Sequence, residues 1–549
     1  MSEQFLPKNR QNLNLQMPSH EEYTVELTKA PSLGLLARLA KAIHTFRSLP
    51  QRIYNTFLLF KHRELKKPAS KNVCPMRYLN PFLYLHYSTK IVSKSAVIKA
   101  ILKYPRKDPE GGLFNDQDNA MVFLPVLQDL YPEETITPED FIFTCNKESL
   151  RKYRQPILRF IGPQSIEKQS KELEAVIEDT IQFYCKEEQE RYLNNLKSWE
   201  LDQEAPQNSC PERVTIAERQ GSSEDNNFEV KPTQSKTNFS SCLGISIDAT
   251  EFSFVLAVAV MSRLLLGHPG PFHAYREIAS AVDLVNRYMM KKTLKQPLSK
   301  EEKEGYKESL LTLRSAIDTS FHSQGPFSHG SFVETLREEK QLTPLQVKMS
   351  LYAMYSAGSD TSSSLLNYLL WQLGKHPEFQ EEIFNEMRES KEDLFTYANQ
   401  SEAIGRVFSE SLRLFTPAYV IGRISPQPLI CTIKDKSGNI LCQERIEKNE
   451  KLLSMPTFAA RDPFLFQNPD EFHPHRFNNP SKGYSWFPFG DGAHSCPGQW
   501  LAKAEISMIT AILIRRYRFD SSPKQEFQQL GYISLKSSEQ VQLKLFPRR

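Results

Sequence analysis

No two of the eight cysteines, at 74, 145, 185, 210, 242, 431, 442 and 496, are spaced C-x-x-C. Neither a zinc module nor a disulfide framework is suggested, and a reducing compartment fits best. A long apolar run is also missing. The best candidate, Phe252 to Gly267, is broken by Ser253, Ser262 and Arg263 and falls short of the roughly 18 to 20 residues that cross a bilayer. The first thirty residues are polar, without the apolar core of a secretory signal. Charge of one sign is scarce: the net value of +4 in 549 residues gives no reason to expect nucleic acid as a partner. A G-x-G-x-x-G fingerprint is absent, so nothing in the chain marks a flavin or nicotinamide site.

What is present is an ordinary soluble composition, 40% apolar and 24% charged, with helical periodicity along most of the chain. Residues 33 to 47, LGLLARLAKAIHTFR, line up Leu35, Leu36, Leu39, Ile43 and Phe46 on one face with Arg38, Lys41 and Arg47 elsewhere. That basic amphipathic helix suits docking on the protein itself or on an anionic membrane surface, so membrane association is expected to be peripheral at most. Residues 1–75 form an N-terminal extension in this reading, and 76–549 the main domain. Within it, 196–241 is rich in Gln, Asn, Ser and Glu and reads as a disordered polar insertion.

The clearest helix begins at Thr343, where T-P-L-Q supplies an N-cap, a first-turn proline and a capping-box glutamine. It runs to about Gly374, roughly 45 to 50 Å, with apolar residues nearly all round, and is therefore expected to be central and buried. Strand-like segments are short: 83–93, LICTIKD, GNILCQE, KLLSMP and the terminal QVQLKLF. The fold class is mainly α with minor sheet.

Chemistry becomes legible just before the last long helix, in Phe489-Gly-Asp-Gly-Ala-His-Ser-Cys-Pro-Gly498. From residue frequencies, F-x-x-G-x-x-x-C-x-G arises by accident in roughly one such chain in a thousand. A thiolate holding a metal needs backbone N–H groups around the sulfur and a close approach of the chain. Gly492 can turn the loop, and Gly498 can start the next helix near the ligand with its positive end favouring the thiolate. A lone cysteine is ordinarily a small buried hydrophobe, and a catalytic nucleophile would need a His and Asn context that is not marked here.

This loop resembles the cysteine-ligand loop of the cytochrome P-450 family, and Ala502 and Glu505 match its usual continuation. Three further motifs lie in the family's order. Ala357-Gly-Ser-Asp-Thr-Ser362 is similar to its oxygen-binding motif, with Gly358 admitting a ligand against the helix and the Thr361 hydroxyl able to bond back to Ala357 and bend it. Glu410-Ser-Leu-Arg413, alone a solvated helical pair, resembles with Arg476 of Phe472-His-Pro-His-Arg-Phe477 a buried Glu–Arg–Arg network. Leu150-Arg-Lys-Tyr-Arg154 resembles the propionate-binding helix, although Leu stands in place of Trp. His473 and His475 are expected to be exposed rather than metal ligands.

The resemblance implies a triangular, mainly helical haem-thiolate domain with small β-sheets. It implies haem b (iron protoporphyrin IX) bound through Cys496, with Phe489, Gly492, His494, Gly498, Arg154, Arg423, Ala357 and Gly358 around it. Asp360 and Thr361 become the acid–alcohol pair that relays protons during oxygen activation, and Tyr419 and Val420 look into the substrate cavity. The implied reaction inserts one atom of O2 into an apolar or amphipathic substrate. Electrons reach it from NAD(P)H through a separate ferredoxin or flavoprotein reductase, docked on cations near the cysteine: Lys147, Arg151, Lys152, Lys482 and Lys503. Rival readings are a peroxygenase, a hydroperoxide dehydratase or isomerase, and a non-catalytic haem-binding sensor. A monomeric, cytoplasmic protein is expected.

Overall fold

The T-P-L-Q signal works as its chemistry requires: Thr343 Oγ1 accepts from the Gln346 N–H at 3.2 Å and Gln346 Oε1 accepts from the Thr343 N–H at 3.2 Å. The computed structural model describes residues 23–29, 89–92, 117–203 except 146, 244–266, 270–293, 296–322, 332–338 and 341–548, with 426, 436, 449, 462–464, 479–485 and 523 left out of the last. The helix at 33–47, most of the segment 83–93, and residues 204–241 of the expected insertion lie outside them.

Eleven of the described helices frame the domain: α1 Gln117–Leu130, α2 Lys147–Ile161, α3 Ser170–Gln203, α4 Ala249–Leu266, α5 Phe272–Thr293, α6 Lys300–His322, α7 Pro344–Ala353, α8 Ser359–Lys375, α9 Pro377–Glu389, α10 Glu402–Leu414 and α11 Gln499–Arg516. Helix α3 continues through 196–203, where the composition suggested that order would already have ended. Helix α4, largely apolar, is buried over most of the stretch from Phe252 to Leu265 and packs on α8, which buries Leu365, Leu366, Leu369, Leu370 and Leu373. Helices with so much buried apolar surface must sit inside the domain, and these two form its centre. Between α7 and α8 the chain does not break; it widens into a π-turn at Met354–Gly358.

The sheets are small. Strands β1 Tyr23–Lys29, β5 Leu429–Asp435 and β6 Ile440–Ile446 pair antiparallel in the order β1-β5-β6. The sequence reading placed no strand at 23–29, although Tyr23, Val25 and Leu27 alternate with Thr24, Glu26 and Thr28. Strand β7 (Lys451–Ser454) lies between β2 (Thr89–Val92), parallel to it, and β4 (Ile421–Ile424), antiparallel. Strand β11 (Gln542–Pro547) joins β3 (Ile245–Asp248) to β8 (Tyr517–Ser521), and β9 (Gln529–Gly531) and β10 (Leu535–Ser537) make a hairpin. That hairpin is held against α8 by an apolar cluster in which the Tyr368 and Phe415 rings stack at 5.0 Å, with Leu535 and Phe527 beside them. Among the described residues no helix is long and apolar enough to cross a membrane.

A cysteine-lined cavity

Gly490 (φ +70°) and Gly492 (φ +79°) occupy the left-handed region that glycine tolerates, and the loop can double back there. The Cys496 N–H then donates to the Phe489 carbonyl at 2.7 Å, and the Arg154 Nη1 of α2 donates to the Ser495 carbonyl at 2.7 Å. Gly498 sits at the start of α11, and a Cβ there would lie 3.7 Å from Cys496 Sγ. Cys496 thus lies at the wall of a cavity of about 350 Å³. Burial pushes its thiol up, against the opposing pull of the Gly498 N–H and Arg154.

The cavity is bounded on another side by Ala357 and Gly358 of the π-turn and by Thr361 of α8. Thr361 Oγ1 donates to the Ala357 carbonyl at 2.7 Å, the back-bond that the sequence suggested. A π-turn opens the hydrogen-bond ladder at that point and leaves a recess along the helix. Gly358 meets Met261 closely: a Cβ would stand 2.6 Å from its Sδ. Apolar side chains, among them Ile142, Phe143, Met261, Met354, Leu412 and Ile421, complete the walls.

Basic groups gather at the rim. Arg154, Arg423 and His494 all line the cavity, and His494 is lowered to about 4 by burial and by the nearby Arg423 and Arg154. The lining includes one carboxyl, Glu505 of α11, which is buried with no protein hydrogen-bond partner on either oxygen. Burial pushes it up to about 8, with the Ser362 hydroxyl pulling the other way. Sequence reasoning noted Glu505 only as part of a motif, because nothing local marks its isolation.

Phe489, Cys496, Gly498, His494, Arg154, Arg423, Ala357, Gly358 and Thr361 therefore line one space, while Gly492 shapes the loop behind it. Asp360 is elsewhere. Buried on the adjoining face of α8, its carboxylate accepts from Ser534 Oγ at 2.5 Å and pairs with Lys536 Nζ at 2.6 Å. Neither hairpin residue was visible as a site residue in the sequence. Tyr419 and Val420, expected to face the cavity, are replaced in its wall by Pro417, Ala418 and Ile421. The Tyr419 hydroxyl donates to the Tyr532 carbonyl at 2.9 Å instead.

Behind the cysteine loop, Glu410 is fully buried with Arg413, and Arg476 Nε donates to Glu410 Oε1 at 3.0 Å. Arg413 Nη1 reaches the carbonyls of Ala460 (2.8 Å) and Pro469 (2.6 Å), so the network grips the segment that leads to the loop. His473 and His475 are exposed, and no metal cluster of His, Cys, Asp and Glu is found among the described residues. Of the cations proposed for docking, Arg151 is exposed, Lys503 half-buried, and Lys152 donates to Gln346 at 3.3 Å. Lys482 and the Lys147 side chain lie outside the described residues.

The donor set fits a haem. A buried thiol carries its charge only against a cation, which an iron would provide, and the basic rim suits two acidic side arms. A sequence model of the cytochrome P-450 family matches residues 251–543. The chain is similar to a sterol 14alpha-demethylase of Mycolicibacterium vanbaalenii, 27% identical over 198 residues, 34% of this chain and 42% of that protein. Cytochrome P-450 4c21 of Blattella germanica is 30% identical over 238 residues, 41% of this chain and 45% of that one. Abscisic acid 8'-hydroxylase 1 of Oryza sativa subsp. japonica is 29% identical over 215 residues, 38% and 43% respectively. The matches thus span less than half the length of these curated relatives.

Proposed function

This chain belongs to the cytochrome P-450 family, and we propose that it is a haem-thiolate monooxygenase inserting one atom of O2 into an apolar or amphipathic substrate. One observation carries the reading: Cys496 and Thr361 line the same largely apolar cavity. Haem bound there supplies the redox chemistry that activates dioxygen. The residues do the rest. Cys496 would hold the iron as thiolate, Arg154, Arg423 and His494 would take the acidic side arms, and Ala357 and Gly358 would leave space against the helix. The apolar walls exclude water and bind the hydrocarbon part of the substrate. Thr361 holds a hydroxyl proton at Oγ1 beside the recess, and Asp360 follows it in proton handling.

Electrons come from NAD(P)H through a separate ferredoxin or flavoprotein reductase. Exposed Arg151 on α2, the helix that carries Arg154, supports approach of an acidic partner on the cysteine side. A second reading, a peroxide-using enzyme on the same haem, is favoured by the Asp360 carboxylate pairing with Lys536.

Turnover with isotopically labelled O2 tests the choice, using fatty acid and steroid probes selected by their shift of the haem absorption band. Monooxygenation gives one labelled oxygen in the product, and Thr361→Ala diverts reducing equivalents to hydrogen peroxide. Product formed only with added peroxide, or unchanged product per NAD(P)H in Thr361→Ala, would overturn the reading.

A further inference from the structure

We infer that Lys536 is a positioning residue whose ammonium, shared between Asp360 on α8 and Asp283 on α5, couples the seating of α5 to the state of the Asp360 carboxylate. The inference rests on the proposed role of Asp360 in proton handling. Its geometric basis is a buried chain of charges. Lys536 Nζ lies 2.5 Å from Asp283 Oδ1 and 2.6 Å from Asp360 Oδ1, with the Phe254 ring of α4 at 4.8 Å. Its side chain is 12% exposed. Burial works against the ammonium, but the Asp360 and Asp283 carboxylates outweigh it and hold Lys536 above its ordinary value. The lysine is therefore a fixed cation between two anions.

Two features make the sharing unequal. Asp360 is held from one side only: Ser534, two residues before Lys536, donates to its Oδ2 at 2.5 Å, so both oxygens face the same hairpin. That hairpin is tied to the cavity wall. Leu535 N–H donates to the Pro417 carbonyl at 2.9 Å, and Gly531 has no side chain where a Cβ would come within 2.7 Å of the Tyr419 hydroxyl. Asp283, in contrast, belongs to a separate helix and faces outward with its other oxygen, which takes Arg287 Nε at 2.6 Å. Arg287 is half-exposed, with its guanidinium 5.6 Å from the Tyr532 ring of the same hairpin.

The line Arg287, Asp283, Lys536, Asp360 thus runs from solvent to the helix that carries Thr361. Three residues beyond Asp283, Asn286 accepts from Ser356 Oγ of the π-turn at 2.9 Å, so α5 also meets the central helix directly. When α5 is seated, Lys536 divides its charge. When Asp283 is neutralised or withdrawn, the whole ammonium turns to Asp360 and binds that carboxylate more firmly to the hairpin. Asp360 is freest to serve the cavity while α5 is in place.

Infrared spectroscopy of the haem-loaded protein reads this coupling without turnover. The Asp360 carboxylate band is the one lost in Asp360→Asn. Asp283→Asn, a change on another helix that does not touch Asp360, shifts that band, and the Lys536→Met background abolishes the shift. Lys536→Arg retains it, because the cation is restored. Amide exchange over 272–293 rises about tenfold or more in Lys536→Met and stays near wild type in Lys536→Arg. An Asp360 band unmoved by Asp283→Asn overturns the inference, as does α5 exchange indifferent to Lys536→Met. Asp283→Asn is close to isosteric and keeps the test open if Lys536→Met folds poorly. Loss of the proton-handling role in the Thr361→Ala experiment would leave the band shift intact, so the two failures are distinct.

Discussion

Glu410 and Arg413, three residues apart on α10, form a two-pronged ion pair sealed from solvent: Nε to Oε2 and Nη2 to Oε1, each at 2.8 Å. On an exposed helix such a pair contributes only tenths of a kcal/mol. Here Arg476, the His473 N–H and three backbone carbonyls complete its hydrogen bonding, and removal of either partner strands a buried charge. Arg413→Met is predicted to cost about 3 to 5 kcal/mol and to impair haem retention, since the segment toward the cysteine loop loses its anchor. Urea unfolding measures the first effect and the haem-to-protein absorbance ratio the second; a loss below about 1 kcal/mol would contradict it.

Gly358 and Met261 supply a second prediction. A Cβ at 358 would lie 2.6 Å from a buried thioether, so Gly358→Ala must push Met261. Overpacking costs about 1 to 3 kcal/mol against a helix-propensity gain of up to about 1 kcal/mol, and a net loss is expected. In a Met261→Ala background, itself destabilised by truncation of a core side chain, the same Gly358→Ala change costs less because the space is open. Stability of Gly358→Ala equal to or above wild type in urea would show that the contact is not tight.

Glu505 makes stability depend on pH. Its folded carboxyl is raised from 4.5 to about 8, so between those values the folded protein keeps a proton that the unfolded chain has released. Stability therefore falls as pH rises from about 4.5 to about 8, at up to about 1.4 kcal/mol per pH unit from this group. Glu505→Gln stays neutral and flattens that part of the profile. Chemical unfolding at several pH values checks it, and parallel profiles for the two proteins would rule the contribution out.

Local signals were legible and long-range ones were not. The capping box at Thr343 and the Thr361 back-bond involve residues within four positions, so composition and order specify them. The cysteine loop is likewise contiguous. Spacing alone assigns Glu410 and Arg413 to a solvated surface, because burial is a property of what packs above them; here the resemblance, not the spacing, pointed inward. Ser534 meets Asp360 across 174 positions, and no periodicity announces that pairing. The strand at Tyr23–Lys29 carried its alternation openly but was masked by a polar composition. Helix α3 outlasted the polar onset at 196, since Glu, Lys and Gln are good helix formers.

The central proposal is that Cys496 would hold the iron of a bound haem as its thiolate ligand. It is tested most directly by the absorbance spectrum of the dithionite-reduced, haem-loaded protein under carbon monoxide. Wild type is predicted to show the red-shifted band of thiolate ligation, and Cys496→Ala to lack it. A wild-type protein without that band, or a Cys496→Ala spectrum unchanged from wild type, would contradict the account.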